Sequence, residues 1–264
     1  MKSLISQHVT ASRFARRFFN TGVIATIGFL FSAMAIAGPT KNYGTHWASV
    51  NDWGGGVFGV NWGTGSTANM TVTWNYPNGD TIWGYPSINR GWHYGGNPTG
   101  DTLFPKQIST ISSAPCYFSY SAGGTNLKGD FAYDLFLRWD NAKSTPHTEI
   151  MIWGAHNSWP LGAISKSKAL TVNGVTYDLW EGYNSSAGYY VYSFVPTNTV
   201  GVVTVMPTSG NLNIDLKTFF NYLSANRTGS NYSNSMYLDV VEAGIEPIRG
   251  GNAWAWIQGS FNAY

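Results

Sequence analysis

The sequence predicts an all-β protein: a jelly-roll sandwich of two antiparallel sheets, with a concave cleft in one sheet and one helix packed on the outer side. Three observations point there. Short runs of alternating apolar and polar residues recur along the chain, separated by turns rich in Gly, Asn and Pro. One stretch carries a helical apolar period. Charged residues form 11% of the chain and aromatic residues 16%, where an ordinary domain has about 25% charged residues. Hydroxyls, amides and indoles must therefore supply much of the polar surface, and so many large polar aromatics suit a cleft. Proteins that handle carbohydrate share this character.

The chain opens with a segment to be set apart. Lys2, Arg13, Arg16 and Arg17 make a basic start, and Val23 to Ala35 is an uncharged, mostly apolar run. Ala35-Ile36-Ala37 then offers small residues where a signal peptidase reads them. Residues 1–37 read as a signal peptide cut before Gly38, and its apolar run is short for a membrane span. Arg16-Arg17 has a twin-arginine look, but ordinary secretion is the expected route in a leader this basic. The protein is expected outside the cell, by way of the periplasm if the source is a Gram-negative bacterium, with no membrane partner after leader removal.

The leader holds four of the fifteen Lys and Arg and no acidic residue, so residues 38–264 carry 11 basic against 13 acidic groups. That balance offers no basic surface for nucleic acid. The remaining length suits one domain of the larger all-β kind, expected as a monomer. Cys116 is the one cysteine, so no internal disulfide forms. Between Ala114-Pro115 and Tyr117-Phe118 it reads as a small buried hydrophobe.

The elements follow in order. Met70, Val72, Trp74 and Tyr76 alternate with Thr71, Thr73 and Asn75, and Pro77-Asn78-Gly79-Asp80 turns the chain. Phe131, Tyr133, Leu135 and Leu137 alternate with Ala132, Asp134, Phe136 and Arg138. In His147 to Trp153, Ile150 and Ile152 point one way, towards a core, while Glu149, Met151 and Trp153 point the other. Asn173-Gly174 between two β-branched runs is the strongest hairpin signal. Tyr189 to Val195, Met236 to Val241 and Ala253 to Phe261 read as further strands. Ile214, Leu216, Phe219, Phe220 and Leu223 form the helical stripe, with Asn213 able to cap it and Gly229 just past its end.

Four glutamates occur in the chain: Glu149, Glu181, Glu242 and Glu246. Glycoside hydrolysis needs two carboxyl groups across a sugar bond, one protonated and one ionised. Glu149 beside a thioether and an indole is the first candidate. Glu246 is the second, because Gly244 and Pro247 mark a bulge or strand end that re-aims side chains. Glu242 reads as a surface acid, and Glu181 as solvated or paired with a hydroxyl. Asp134 lies on the non-core face of its strand, and only the neighbour of that strand decides whether it shares a proton with Glu149. Other chemistries find no support. The five histidines lack metal-ligand spacing, and there is no phosphate-cradling Gly loop, no Gly-x-Ser-x-Gly elbow and no cysteine pair.

These residues resemble glycoside hydrolase family 12, the small jelly-roll endoglucanases. Glu149-Ile150-Met151-Ile152-Trp153 resembles the family's nucleophile strand, and Ala132-Tyr133-Asp134-Leu135-Phe136 the strand whose aspartate touches the nucleophile. Gly244-Ile245-Glu246-Pro247 before Gly250-Gly251 resembles the acid/base motif. Asn51-Asp52-Trp53-Gly54 is similar to the segment whose indole stacks on a sugar, and Tyr85-Pro86 with Trp92-His93-Tyr94 to the next cleft segment. Trp159-Pro160-Leu161-Gly162 resembles the loop over the aglycone side, and Gly182-Tyr183-Asn184 also falls in family order.

The resemblance covers essentially all of residues 38–264. It implies a catalytic domain that hydrolyses internal β-1,4 bonds of a β-glucan (cellulose, mixed-linkage glucan or xyloglucan) by a retaining mechanism without a cofactor or metal. Glu149 would be the nucleophile and Glu246 the general acid, then base, with Asp134 tuning Glu149. Asn51, Trp53, Tyr85, His93, Tyr94, Met151, Trp153, Trp159, Pro160 and Asn184 would meet substrate. Asp52 beside the stacking Trp and Arg249 in the acid/base turn depart from the family pattern; altered loops of this kind could favour branched glucans. A non-catalytic carbohydrate-binding protein and an endo-xylanase on the related jelly roll are the alternatives.

Overall fold

The computed structural model describes residues 38–264 apart from Gly55, Lys143, Ser144 and Ser230. The expected signal peptide, residues 1–37, lies outside the described residues. The chain forms, in order, β1 (Thr40–Tyr43), β2 (His46–Ser49), β3 (Gly59–Trp62), β4 (Ala68–Tyr76), β5 (Ser87–Gly91), β6 (Lys106–Gln107) and β7 (Pro115–Arg138). Then come β8 (Thr148–His156), β9 (Ala163–Val172), β10 (Val175–Asn184), β11 (Tyr189–Pro196), β12 (Ser209–Asn211), β13 (Ile214–Asp215), the helix α1 (Leu216–Arg227) and β14 (Tyr237–Phe261).

The two longest strands, β7 and β14, organise the rest. They pair antiparallel along almost their whole length, and each belongs to both layers. The first half of β14 and the second half of β7 sit at the centre of one layer, in the order β1-β2-β5-β14-β7-β8-β11-β10-β9. The other halves carry β3 and β4 on one side and the short β12 and β13 on the other. The change of layer falls where the register between β7 and β14 slips repeatedly, from Pro247 to Trp254. Such slips bend a strand and increase its twist. The two separate strands expected at 236–241 and 253–261 are thus parts of one strand, bent rather than broken.

Between the layers lies a continuous apolar core. Met70 and Val72, Phe131, Tyr133 and Leu135, Ile150 and Ile152, and Ala255 and Ile257 all point into it, as the period-two alternation requires. Cys116 joins this core as the expected small hydrophobe. One strand pair departs from the antiparallel rule: β8 and β11 run parallel. The intervening β9–β10 hairpin supplies the length of chain that a parallel crossover needs. Asn173 and Gly174 turn that hairpin with φ of 50° and 81°, the conformation an Asn-Gly turn favours.

The helix stripe Leu216, Phe219, Phe220 and Leu223 is fully buried in the same core. Phe219 meets Tyr177 and Phe194 edge-on, so α1 covers the convex side of the first sheet. Its cap is Asp215 and not Asn213. Ile214 and Asp215 still pair with Cys116 and Pro115 of β7, so the chain stays extended past Asn213. The Asp215 carboxylate then accepts from the Lys217 N–H at 2.9 Å and the Ala114 N–H at 2.8 Å, a cap contributing about 1 kcal/mol. Among the described residues no helix is long and apolar enough to cross a membrane.

Candidate active site

Residues opposite one another on antiparallel strands share a face of the sheet. Glu242 of β14 is opposite Asp134 of β7, which is opposite Met151 of β8. Glu246 is opposite Asp130, and Phe136 is opposite Glu149. No register slip separates Glu242 from Glu246; the first one beyond them falls between Pro247 and Arg249. Glu242, Glu246, Asp130, Asp134, Glu149, Met151 and Trp153 therefore all project from the face away from the core. Ala132, Phe136, Met151, Trp153, Tyr189, Val191 and Val195 form an apolar floor there, separate from the main core. Gly244 lies between the two β14 glutamates, where a Cβ would come within 2.3 Å of the Pro86 carbonyl oxygen. Only glycine lets β5 close against β14 at this point.

Glu149, Asp134, Asp130 and Glu242 are almost wholly buried. Asp134 lies within hydrogen-bonding reach of Glu149, as the resemblance implied, and Asp130 within reach of Glu246. Burial raises the Glu149 carboxyl from 4.5 to about 7; the hydrogen bond from Asp134 opposes that rise and the charge of Glu242 adds to it. Burial, then the charge of Glu149, raises Glu246 to about 8, while Asp130 pulls it down. Glu246 keeps a part-exposed edge, so water tempers the push. Asp134 and Asp130 are both held well above the usual carboxylate range, chiefly by burial and next by the neighbouring glutamate. Two carboxyls in contact cannot both ionise cheaply, so each Asp–Glu pair retains a proton.

Glu242 corrects the expectation of a surface acid. It is 1% exposed, and its Oε1 lies 2.6 Å from His93 Nδ1. Its even spacing from Glu246 along one strand puts it on the same face, and it is buried because β5 and the His93 turn cover that part of β14. Glu181 matches its reading. Its carboxylate accepts from Ser165 Oγ, Tyr190 Oη and Arg227 Nε, away from the acid cluster. Asp130 is a further acid of the site, and the sequence carries its signal: it precedes Asp134 by four residues in the same alternating strand, which puts both on one face.

The expected substrate contacts fall into three groups. Met151, Trp153 and Tyr85 are buried in or beside the floor; Tyr85 Oη donates to the Ala132 carbonyl at 2.9 Å. His93 and Tyr94 form a tight turn closed by reciprocal His93–Gly96 backbone bonds of 2.9 and 2.8 Å, with Tyr94 at φ 44°. Tyr94 packs edge-on against Phe136 in the cleft. Trp53 and Trp159 are exposed at 36% and 65%, on loops that flank the acid cluster from the β2 and β8 sides. Asn51 is buried, and its Oδ1 accepts from Trp53 Nε1 at 3.2 Å, which orients the indole. Asp52 binds the backbone N–H groups of Gly54, Gly56, Val57 and Phe58, so it shapes this loop.

Pro160 is buried beneath the Trp159 loop, which closes at Gly162, where a Cβ would overlap the Glu181 carbonyl. Beside this loop lies a cavity of about 350 Å³ lined by Trp159, Ile164, Trp180 and Val200 among others. Asn184, at the end of β10, is opposite Tyr189 of the floor, and its Oδ1 accepts from the Ala187 N–H at the β10–β11 turn. The arrangement can present an aromatic-rimmed trough to a flat polar chain, with two proton-sharing carboxyl pairs aimed into it.

The profile of Glycosyl hydrolase family 12 matches residues 48–263. The chain belongs to that family. Over 150 residues it is 36% identical to xyloglucan-specific endo-beta-1,4-glucanase A of Aspergillus niger, an alignment that spans 56% of this chain and only 56% of that enzyme. It is 38% identical over 153 residues to an inactive glycoside hydrolase of Phytophthora nicotianae, covering 56% of this chain and 58% of that one. Among solved structures, the family 12 xyloglucanase of Bacillus licheniformis superposes with a TM-score of 0.68 at 27% identity, over 85% of this chain and 95% of the other. Family 12 membership accounts for the jelly roll and for the cleft. It does not separate an active member from an inactive one, and for that the carboxyl groups matter.

Proposed function

We infer that residues 38–264 form a secreted, retaining endo-β-1,4-glucanase that cuts internal bonds of a β-glucan. The observation that carries this reading is the pairing of Glu149 and Glu246 with Asp134 and Asp130 on one buried face. In this mechanism ionised Glu149 attacks the anomeric carbon while protonated Glu246 delivers its proton to the departing glycosidic oxygen. A glycosyl–enzyme ester forms on Glu149. Glu246, now a carboxylate, takes a proton from water as that water attacks the same carbon, and the ester breaks with net retention. The raised pKa of Glu246 suits the acid role, and the Asp134 hydrogen bond favours the ionised form of Glu149. Trp53 and Trp159 would stack on sugar rings on either side of the cut. Residues 1–37 would carry the chain out of the cell.

Xyloglucan is the favoured polymer, because the Aspergillus and Bacillus proteins it resembles carry that substrate in their names and because Arg249 follows Glu246 by three residues where β14 bends. The test is reducing-sugar release by the purified protein from carboxymethyl-cellulose, mixed-linkage β-glucan, xyloglucan and xylan side by side. Xyloglucan should be cut fastest; xylan ahead of every glucan would point to the xylanase alternative. A second reading, a glucan-binding protein without turnover, is favoured by the likeness to the inactive Phytophthora protein. It requires binding with no release from any polymer, and the five acid groups on the cleft face argue against it.

A further inference from the structure

Beyond the two glutamates and Asp134, we propose that Asp130 is a positioning residue for Glu246, holding its carboxyl and supplying the hydrogen bond that stabilises it each time it gives up its proton. This rests on the reading of Glu246 as the acid and base.

The geometry is specific. Asp130 is directly opposite Glu246 across the β7–β14 ladder, so their side chains leave the sheet side by side. Asp130 is 1% exposed. Ser158 Oγ donates to its Oδ2 at 2.8 Å, which fixes the rotamer from the far side. Its Oδ1 receives no donor from the protein, and Glu246 lies within hydrogen-bonding reach. A carboxylate in that position would be buried with one oxygen unsatisfied and an acid beside it. A protonated carboxyl there donates to Glu246 and resolves both problems.

The groups around the pair support the assignment. On β8, opposite Asp130, stands His156, whose Nε2 pairs with Thr199 Oγ1 and whose burial holds it below the usual histidine range. It adds no positive charge to favour an ionised Asp130. Glu246 itself disfavours a negative charge on Asp130, and burial with the charges of Asp134, Glu242, Glu246 and Asp130 keeps the Tyr85 hydroxyl protonated well above its usual range. The nearest cations along the strands, Lys128 and Arg249, act on Asp80. Asp130 therefore keeps its proton while Glu246 cycles. When Glu246 protonates the leaving oxygen, its new carboxylate is met at once by the Asp130 O–H; when it recovers a proton from water, that bond weakens again. No proton is consumed by Asp130, so the cycle balances. Each glutamate thus has its own aspartate, both drawn from β7 four residues apart.

The experiment is the pH dependence of kcat/KM on neutral mixed-linkage β-glucan for the wild type, Asp130→Asn, Asp130→Leu and Asp130→Ala, with melting curves for each. The amide of Asp130→Asn still donates, so its basic limb should stay at the wild-type position. Asp130→Leu keeps the volume and Asp130→Ala removes it, and both lose the donor. In whichever of these two folds, the basic limb should move up by about one pH unit, with kcat down about tenfold. A basic limb unmoved in the Leu and Ala variants, or moved equally in the Asn variant, overturns the proposal. Glu246→Gln is run alongside. If it abolishes turnover while the Asp130 variants leave the limb in place, the positioning role alone fails. If it leaves turnover and the basic limb intact, the reading of Glu246 fails instead.

Discussion

On one face of β7 and β8, Tyr133, Leu135, Ile150 and Ile152 are sealed against the second sheet; on the other, one residue along, Asp134, Glu149 and Asp130 are buried almost as deeply. Depth is the same, and chemistry is opposite. The first face gains from burial, since apolar area leaves water. The second loses by it, since a buried carboxyl must give up hydration or charge. The acids persist there only because the first face, together with α1, stabilises the strands that carry them. Such sites exchange stability for reactivity.

Substitutions on each face sharpen this contrast. The largest effect belongs to Glu149→Gln, which should cut reducing-sugar release by a thousandfold or more, on the order expected for a lost nucleophile, while leaving the melting temperature equal or higher. A clear fall in melting temperature with activity retained would break the comparison. Ile152→Ala, on the core face three residues along, should do the reverse. Calorimetry should show about 2–5 kcal/mol of lost stability, with kcat/KM per folded molecule nearly unchanged.

The pH dependence follows from the raised carboxyls. A raised folded-state pKa means that the native protein holds its proton more tightly than the unfolded chain. Stabilisation from Glu149 and Glu246 is therefore complete below about 4.5 and is lost as pH rises through about 7 and about 8. Urea titrations should show stability declining across that window, with a shallower decline in Glu149→Gln; an unchanged slope would remove Glu149 as a source. Over the same window kcat/KM should be bell-shaped, rising as Glu149 ionises and falling as Glu246 loses its proton.

Smaller effects lie at the rim. Trp53→Ala should raise KM about tenfold with kcat largely kept, the loss of about 1.4 kcal/mol of stacking; an unchanged KM would take Trp53 out of the substrate path. Smallest is Glu181→Gln. Its pair with Arg227 is near the surface, and pairs of this kind contribute about 0–1 kcal/mol. Activity should not change, which would separate this glutamate from the other three.

Much of this molecule follows from local rules in the chain. Alternation in 70–76, 131–138 and 147–153 determined which side chains enter the core, because a strand has no choice about its two faces. The Asn173-Gly174 turn and the apolar stripe of α1 are equally local. So were Glu149 and Glu246 as candidates, with Met151 and Trp153 beside the first. Tertiary structure decided what depends on neighbours. Asp134 reaches Glu149 because β7 lies beside β8, and Asp130 meets Glu246 because β14 lies on its other side. Glu242 is buried because β5 and the His93 turn close over it, and the cap moved to Asp215 because β13 pairs with β7. Periodicity assigns a residue to a face; only strand order and register bring two acids from distant parts of the chain close enough to share a proton.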